Sequence, residues 1–381
     1  MHMHKLILTK ERYNAFFCVL YFFISDLSRM LALVGVPRAA SYVAFLFCFF
    51  LYFLSAAKAF TVQDLLIEGT IIIISIFGLI SNSQYIANDT NLFVIIIVFI
   101  PAYYFFSTAT EEALEKGLKY SSLLSGVYLI AYYLLMVRRS TLYDMSYSGW
   151  VSVPASVLFY YFIEEKKKIY LPIAIFLFIT AFVSGSRSGP LLTLLCCMYF
   201  LLIRMKDSRM GKALVIAIGA LLIAARVNLN WILERLGTLS GMSRNIRKLL
   251  SGDMLVSRPR EALYIRVRNL ISAKPLGYGP LTSRRVLTGE PYPHSLFYEF
   301  QMDYGVYIGT ILFIIIIAMA IYLLIKKRNS RTVPLIGVLC IIGLGTLMVS
   351  SSYFHGYTVP AIIALFVQEV KHKKNRTMDS F

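Results

Sequence analysis

Apolar runs recur from one end of this chain to the other, each about as long as a helix needs to cross a ~30 Å hydrocarbon layer. Runs of that kind leave few alternatives. In lipid every backbone N–H and C=O must be bonded internally, which only helices and closed barrels achieve. The runs are too long for the ~10-residue alternating strands of a membrane barrel, so helices are expected. Composition agrees: charged residues make up 15% of the 381 residues, against roughly a quarter in soluble domains. The expected fold class is all-α, a polytopic integral membrane protein of about twelve transmembrane helices with one large extracytoplasmic loop.

The expected spans are 13–35, 39–57, 65–80, 91–109, 121–137, 149–163, 169–184, 189–203, 212–227, 303–325, 333–350 and 355–370. No small-residue cleavage site follows Met1–Arg12, so the first helix is expected to be retained. Orientation follows from the placement of Lys and Arg. With the N-terminus in the cytoplasm, the inward connections and both tails hold 21 of the 38 basic residues, and the outward short connections hold only Arg38, Arg138, Arg139 and Arg187. Both termini are therefore expected in the cytoplasm, with residues 228–302 outside. Three segments result: a transmembrane bundle at 1–227, the loop at 228–302, and transmembrane helices with a basic tail at 303–381.

That loop carries eleven Lys or Arg against five acids, and long loops are exempt from the positive-inside rule. Its segment 259–273 begins with Pro259 and Glu261 and repeats apolar residues at helical spacing, the pattern of an amphipathic helix lying at the membrane surface. Lys274-Pro275-Leu276-Gly277-Tyr278-Gly279-Pro280 then reads as a turn.

Few residues are equipped for chemistry. His294 and His355 are the two histidines expected outside; His2, His4 and His372 lie in the tails. His294 follows Pro291-Tyr292-Pro293, which suggests a helix N-terminus, whose positive end would keep the imidazole neutral as a general base requires. An interfacial histidine with local hydrogen bonds fits the same residues. Arg187, in Ser184-Gly185-Ser186-Arg187-Ser188-Gly189, sits at a helix junction, and Arg258, Arg260, Arg266 and Arg268 lie on or before the amphipathic helix. Guanidinium groups bind diphosphate oxygens through paired donors, though lipid headgroups would suit them too. Gly277-Tyr278-Gly279 offers backbone N–H groups for an anion nest. Asp26 and Arg29 have the spacing of an internal ion pair, and Gly305-x-x-x-Gly309 that of close helix packing. The chain has no Asp-x-Asp, no Walker loop and no Gly-x-Ser-x-Gly elbow, and the cysteines Cys18, Cys48, Cys196, Cys197 and Cys340 all fall in apolar runs without metal-ligand spacing.

Taken in order, Ser184–Gly189, the pattern from Arg258 to Gly279 of arginine, amphipathic helix and Pro-x-Gly-x-Gly, and Pro293-His294-Ser295 with Gly305 eleven residues after the histidine resemble the O-antigen polymerase and ligase superfamily of bacterial membrane glycosyltransferases. Ser295 stands where Asn is commoner in that family. The resemblance implies a metal-independent, inverting transfer of a glycan from undecaprenyl diphosphate to a sugar hydroxyl at the outer face of the inner membrane. It implies His294 as the base and Arg187, Arg258, Arg260 and Arg266 as diphosphate ligands, with Tyr278, Tyr292 and Tyr298 as possible glycan contacts. No cofactor, no metal and no nucleic acid are expected. The expected partners are the lipid-linked oligosaccharide, membrane lipids, a chain-length regulator and a flippase. The modest loop mildly favours a repeat-unit polymerase over a ligase. A flippase for the same lipid-linked glycan is the reading from another class, disfavoured by the sparse intramembrane charge.

Overall fold

A computed structural model of the chain describes residues 2–56, 60–83, 95–137, 145–183, 188–204, 258–287, 290 and 292–378. Among them every regular element is a helix. In chain order these are α1 (His2–Leu33), α2 (Arg38–Ala56), α3 (Val62–Ser81), α4 (Ile95–Thr108), α5 (Glu111–Tyr132), α6 (Met145–Glu165), α7 (Tyr170–Val183) and α8 (Ser188–Arg204). Then come α9 (Arg258–Ala273), α10 (Ser283–Val286), α11 (Leu296–Tyr304), α12 (Val306–Lys326), α13 (Val333–Val349) and α14 (Thr358–Met378).

Among the described residues three helices are long and apolar enough to cross a membrane: Tyr13–Leu33, Val62–Ser81 and Val306–Asn329. This corrects the expectation of about twelve. An apolar run in sequence marks a buried or lipid-facing stretch, but the helix that carries it must also be long enough. The apolar stretches Ala40–Leu54, Ile95–Thr108, Tyr170–Val183, Ser188–Arg204 and Val333–Val349 run for only 10–17 residues, which at 1.5 Å per residue fall short of a ~30 Å core. Three longer helices are too polar. α5 opens on Glu111, Glu112, Glu115, Lys116 and Lys119, α6 carries Ser146, Ser148, Ser152, Pro154 and Ser156, and α14 runs out through Lys371, Lys373, Lys374 and Arg376. The expected span 212–227 lies outside the described residues.

The chain divides into two compact units, Met1–Gly117 with Pro259–Phe381, and Leu118–Arg258. In the second, Tyr147 donates from its hydroxyl to the Leu129 carbonyl (3.1 Å) and to Thr180 (3.2 Å), tying α5, α6 and α7 together. Gly189 lets the start of α8 press on α6, since a Cβ there would lie 2.3 Å from the Ser148 hydroxyl. At the far end of α8, Arg204 pairs with Glu164 at 3.0 Å and lies over the Tyr160 ring.

The first unit holds the three long helices. Phe17 stacks on Tyr52 at 4.6 Å and Tyr21 on Phe105 at 4.1 Å, joining α1, α2 and α4. The buried tyrosine hydroxyls keep partners, as apolar surroundings demand: Tyr21 donates to the Val98 carbonyl at 3.0 Å, and Tyr52 shares a bond with Thr108 at 3.1 Å. Asp26 and Arg29 form the expected ion pair, at 2.7 Å. Thr61 and Asp64 cap α3 reciprocally, and Lys371 of α14 reaches Asp64 at 2.7 Å. Lys327, at the end of α12, pairs with Glu111 (2.6 Å) and Glu369 (3.0 Å). These bonds gather the start of α3, the end of α12 and the later part of α14 at one end of the unit.

Candidate functional site

The opposite ends of α3 and α12 carry the loop elements. α9 is amphipathic as expected, but its apolar stripe does not face lipid. Leu263, Val267 and Ile271 are buried against Leu287 and Met302, with Leu270, Tyr298 and Val306 packed around them. Burying three such side chains is worth roughly 1.5–3 kcal/mol each, so α9 is held by protein rather than by the membrane surface. Arg266 is half-buried on this helix, with a guanidinium nitrogen 3.5 Å from the Val286 carbonyl, and Arg268 is exposed.

The turn after α9 is fastened to the reversal between α11 and α12. Tyr278 N–H donates to the Met302 carbonyl (2.7 Å), Gly279 N–H to that of Asp303 (3.0 Å), and Val306 N–H to that of Pro275 (2.9 Å). Gly277 and Gly305 make this approach possible. Both have positive φ, +89° and +85°, and a Cβ on Gly277 would lie 2.5 Å from the Gly305 nitrogen. Since Gly277 N–H is itself bonded to the Lys274 carbonyl (2.9 Å), all three amides of Gly277-Tyr278-Gly279 are engaged, and they form no anion nest. Gly305 reverses the chain, so α11 folds back on the first turns of α12. Phe297 meets Phe313 at 5.2 Å, Gln301 donates to Thr310 at 2.9 Å, and Gly309 lies against the Phe300 backbone.

His294 lies immediately before this reversal. Helix α11 starts at Leu296 with Ser295 as N-cap, so the histidine is one residue outside it and Pro293 is not in the first helical turn. Its φ of +54° places it in the left-handed region, uncommon for a residue with a Cβ. The Tyr264 hydroxyl of α9 donates to its carbonyl at 3.3 Å, and the Tyr264 ring packs on Tyr298 at 5.4 Å. The Tyr292 ring meets the imidazole edge-on at 4.5 Å, while its hydroxyl donates to the Ser350 carbonyl at 2.8 Å. Nε2 stands 3.7 Å from a carboxylate oxygen of Glu290, and Nδ1 is buried without a hydrogen-bond partner. Burial lowers the pKa of His294, the Arg260 guanidinium lowers it further, and Glu290 pulls the other way. The net direction is down, which keeps the imidazole neutral with a free nitrogen lone pair.

Beneath the histidine, α11 buries two carboxylates one turn apart, Glu299 and Asp303. Glu299 accepts from the Ser352 hydroxyl and from the Tyr353 N–H (3.2 Å); Asp303 accepts from the Tyr353 hydroxyl (2.7 Å) and the Leu281 N–H (3.3 Å). Tyr304 shares a bond with the Tyr353 hydroxyl at 2.9 Å. Burial, with Asp303 nearby, pushes Glu299 well above the carboxylate range, and burial pushes Asp303 up to about 7. The pair therefore holds a proton and ties together α11, the turn at 278–282 and the segment at 350–354.

The structure thus brings Arg260, Tyr292, Tyr298 and His294 together, with Tyr278 in the adjoining turn, where its hydroxyl donates to the Leu270 carbonyl at 3.0 Å. Arg187 lies outside the described residues, and so do the side chains of Arg258 and His355. Sequence reasoning missed Tyr264, Ser352, Tyr353 and the Glu299–Asp303 pair. The spacing of four between Glu299 and Asp303 was the available signal, since it puts both on one helical face. Among the described residues no group of three or more His, Cys, Asp or Glu is placed to hold a metal ion.

A helical protein with segments long and apolar enough to cross a membrane, and a half-buried histidine near the ends of two of them, defines a class: a helical membrane protein. Residues 172–314 match the family model of O-antigen ligase, a match over part of the chain that includes Ser184–Gly189, α9, His294 and Gly305 and accords with the O-antigen polymerase and ligase superfamily. No curated protein matches the chain.

Proposed function

We propose that this protein transfers a glycan from undecaprenyl diphosphate to a hydroxyl of a saccharide acceptor at the outer face of the bacterial inner membrane, with both termini in the cytoplasm. The observation that carries the reading is the placement of His294 against Tyr264, Tyr292 and Glu290, where burial and the Arg260 charge both lower its pKa. The neutral imidazole takes the proton of the acceptor hydroxyl as its oxygen attacks the anomeric carbon. The anomeric C–O bond to the diphosphate breaks on the opposite side, and the diphosphate leaves with the bonding electron pair. One displacement inverts the anomeric centre. The lipid diphosphate is a good leaving group, and its growing charge is met by the guanidinium of Arg260, joined in this reading by Arg187, Arg258 and Arg266. Tyr278, Tyr292 and Tyr298 border the space for the glycan.

The family model is described for O-antigen ligase, which favours lipid A core as acceptor and the finished chain as donor. Repeat-unit polymerisation for O-antigen, capsule or another exopolysaccharide is the second reading, favoured by the modest 228–302 loop. The ligase reading takes its substrate from a flippase and a chain-length regulator. Deleting the gene and resolving surface polysaccharide on gels separates the readings. Long carrier-linked chains that fail to reach lipid A core are expected. Loss of the ladder with single repeats retained would establish the polymerase instead, and absence of any extracytoplasmic lipid-linked repeat would overturn both in favour of a flippase.

A further inference from the structure

The turn Lys274–Pro280 rests on the ends of two membrane-crossing helices. The Pro275 carbonyl accepts from Val306, the first residue of one, at 2.9 Å. The Asn82 side chain, immediately after the other, donates to the Pro280 carbonyl at 3.0 Å, and Gly78 lies against Pro280 and Leu281. A segment seated on both helix ends sits where hydrocarbon gives way to headgroups.

At the tip of this turn Leu276 is 88% exposed, more than any other large apolar side chain among the described residues. It cannot fold inward. The residues on either side are fixed by the Pro275–Val306 and Tyr278–Met302 backbone bonds, and Gly277 is in backbone contact with Gly305. The exposure continues down the span through Tyr307 (77%), Ile308 (61%) and Ile311 (56%). Two residues before Leu276, the exposed Lys274 holds its ammonium 5.1 Å from the Tyr278 ring centre, the pairing of a cation and an aromatic that suits headgroup depth. α9, the element whose sequence pattern promised lipid contact, spends its apolar stripe on the protein core.

We infer that Leu276 is a membrane anchor: it inserts among the acyl chains of bilayer lipids, continuous with the lipid-facing stripe of α12, while Lys274 stays among the headgroups. Because the same turn is bonded to Met302 and Asp303 of α11, the anchor ties the height of His294 to that of the membrane surface. The inference does not depend on which reaction the site performs.

Its test uses the full-length chain in liposomes of phosphatidylethanolamine and phosphatidylglycerol, free of any polyprenyl carrier. A nitroxide is attached to Leu276→Cys or to Lys274→Cys, and the spectrum of the unsubstituted protein after the same labelling is subtracted. Collision with oxygen, which concentrates in lipid, is compared with collision with a water-soluble nickel chelate. The expected result is oxygen access exceeding nickel access at 276 and the reverse at 274. Nickel access exceeding oxygen access at 276 would put the turn in water and overturn the anchor. A label at 276 that is immobilised and shielded from both reagents would overturn it too, because another protein surface would then be the occupant.

Discussion

The imidazole of His294 lies between a cation from one stretch of chain and an anion from another, and its titration should report both. Activity needs the neutral ring, so it should rise with pH through a limb lying below the ordinary histidine value of 6.5. Glu290 raises this pKa, so Glu290→Gln should move the limb to lower pH. Arg260 lowers it, so Arg260→Gln should move the limb to higher pH as well as weaken donor binding. Limbs that stay together in all three proteins would detach the titration from His294. His294→Ala, expressed at the normal level, should lose about 10²–10⁴ in transfer rate, while His355→Ala stays active; a pulse of labelled donor into membranes reads both. The sequence singled out His294 as one of two histidines expected outside. It did not expose Arg260 as its neighbour, since 34 positions separate them and only the docking of α9 on α11 brings them together.

The elements that hold the histidine are joined backbone to backbone. Gly305→Ala would force a Cβ to 2.6 Å from the Pro275 carbonyl oxygen at a φ of +85°, a strain of order 1–3 kcal/mol before the steric clash is added. It should lower the unfolding midpoint of the purified protein and abolish transfer, whereas Leu276→Ala, which changes only a side chain that takes no part in the contact, should leave the midpoint unchanged. The buried carboxylates make a second demand on these elements. The folded state raises Asp303 from 3.8 to about 7 and thus prefers its protonated form. The stability this group lends is complete below its unfolded pKa and is lost as pH rises from about 4 through about 7. Glu299, raised by burial and by Asp303, extends the loss to higher pH. Asp303→Asn should therefore flatten the fall of the unfolding midpoint over that window, as differential scanning calorimetry in detergent would record. The amphipathic pattern of α9 and the turn after it were legible in sequence because both are local. What the apolar stripe of α9 packs against was not legible, because a helix facing lipid and a helix facing protein carry the same spacing of Leu263, Val267 and Ile271.

At the scale of the molecule, the apolar runs among the described residues read correctly as helices, but their number as membrane spans did not follow. Hydropathy marks the apolar residues of α2, α7, α8 and α13 without measuring the helix that carries them, and the charges of α5 and α14 lie within one helix with the apolar run. The three qualifying helices nonetheless fix an axis. Lys371 with Asp64, and Lys327 with Glu111 and Glu369, sit at one end of α3 and α12. The turn at 274–280 and His294 sit at the other, 24 helical residues away along Val306–Asn329, or about 36 Å at 1.5 Å per residue. If α12 spans the bilayer, the two ends must open to opposite sides. The positive-inside rule predicts the basic end, with Lys326, Lys327, Arg328 and Arg331, in the cytoplasm. Lys274→Cys should then react with a membrane-impermeant maleimide in intact spheroplasts, and Asn329→Cys should react only after the membrane is opened. Both positions are exposed, so silence at either cannot be blamed on burial. Labelling of Asn329→Cys in sealed cells with Lys274→Cys protected would invert the molecule, and it would place His294 on the side where a donor presented at the outer face never arrives.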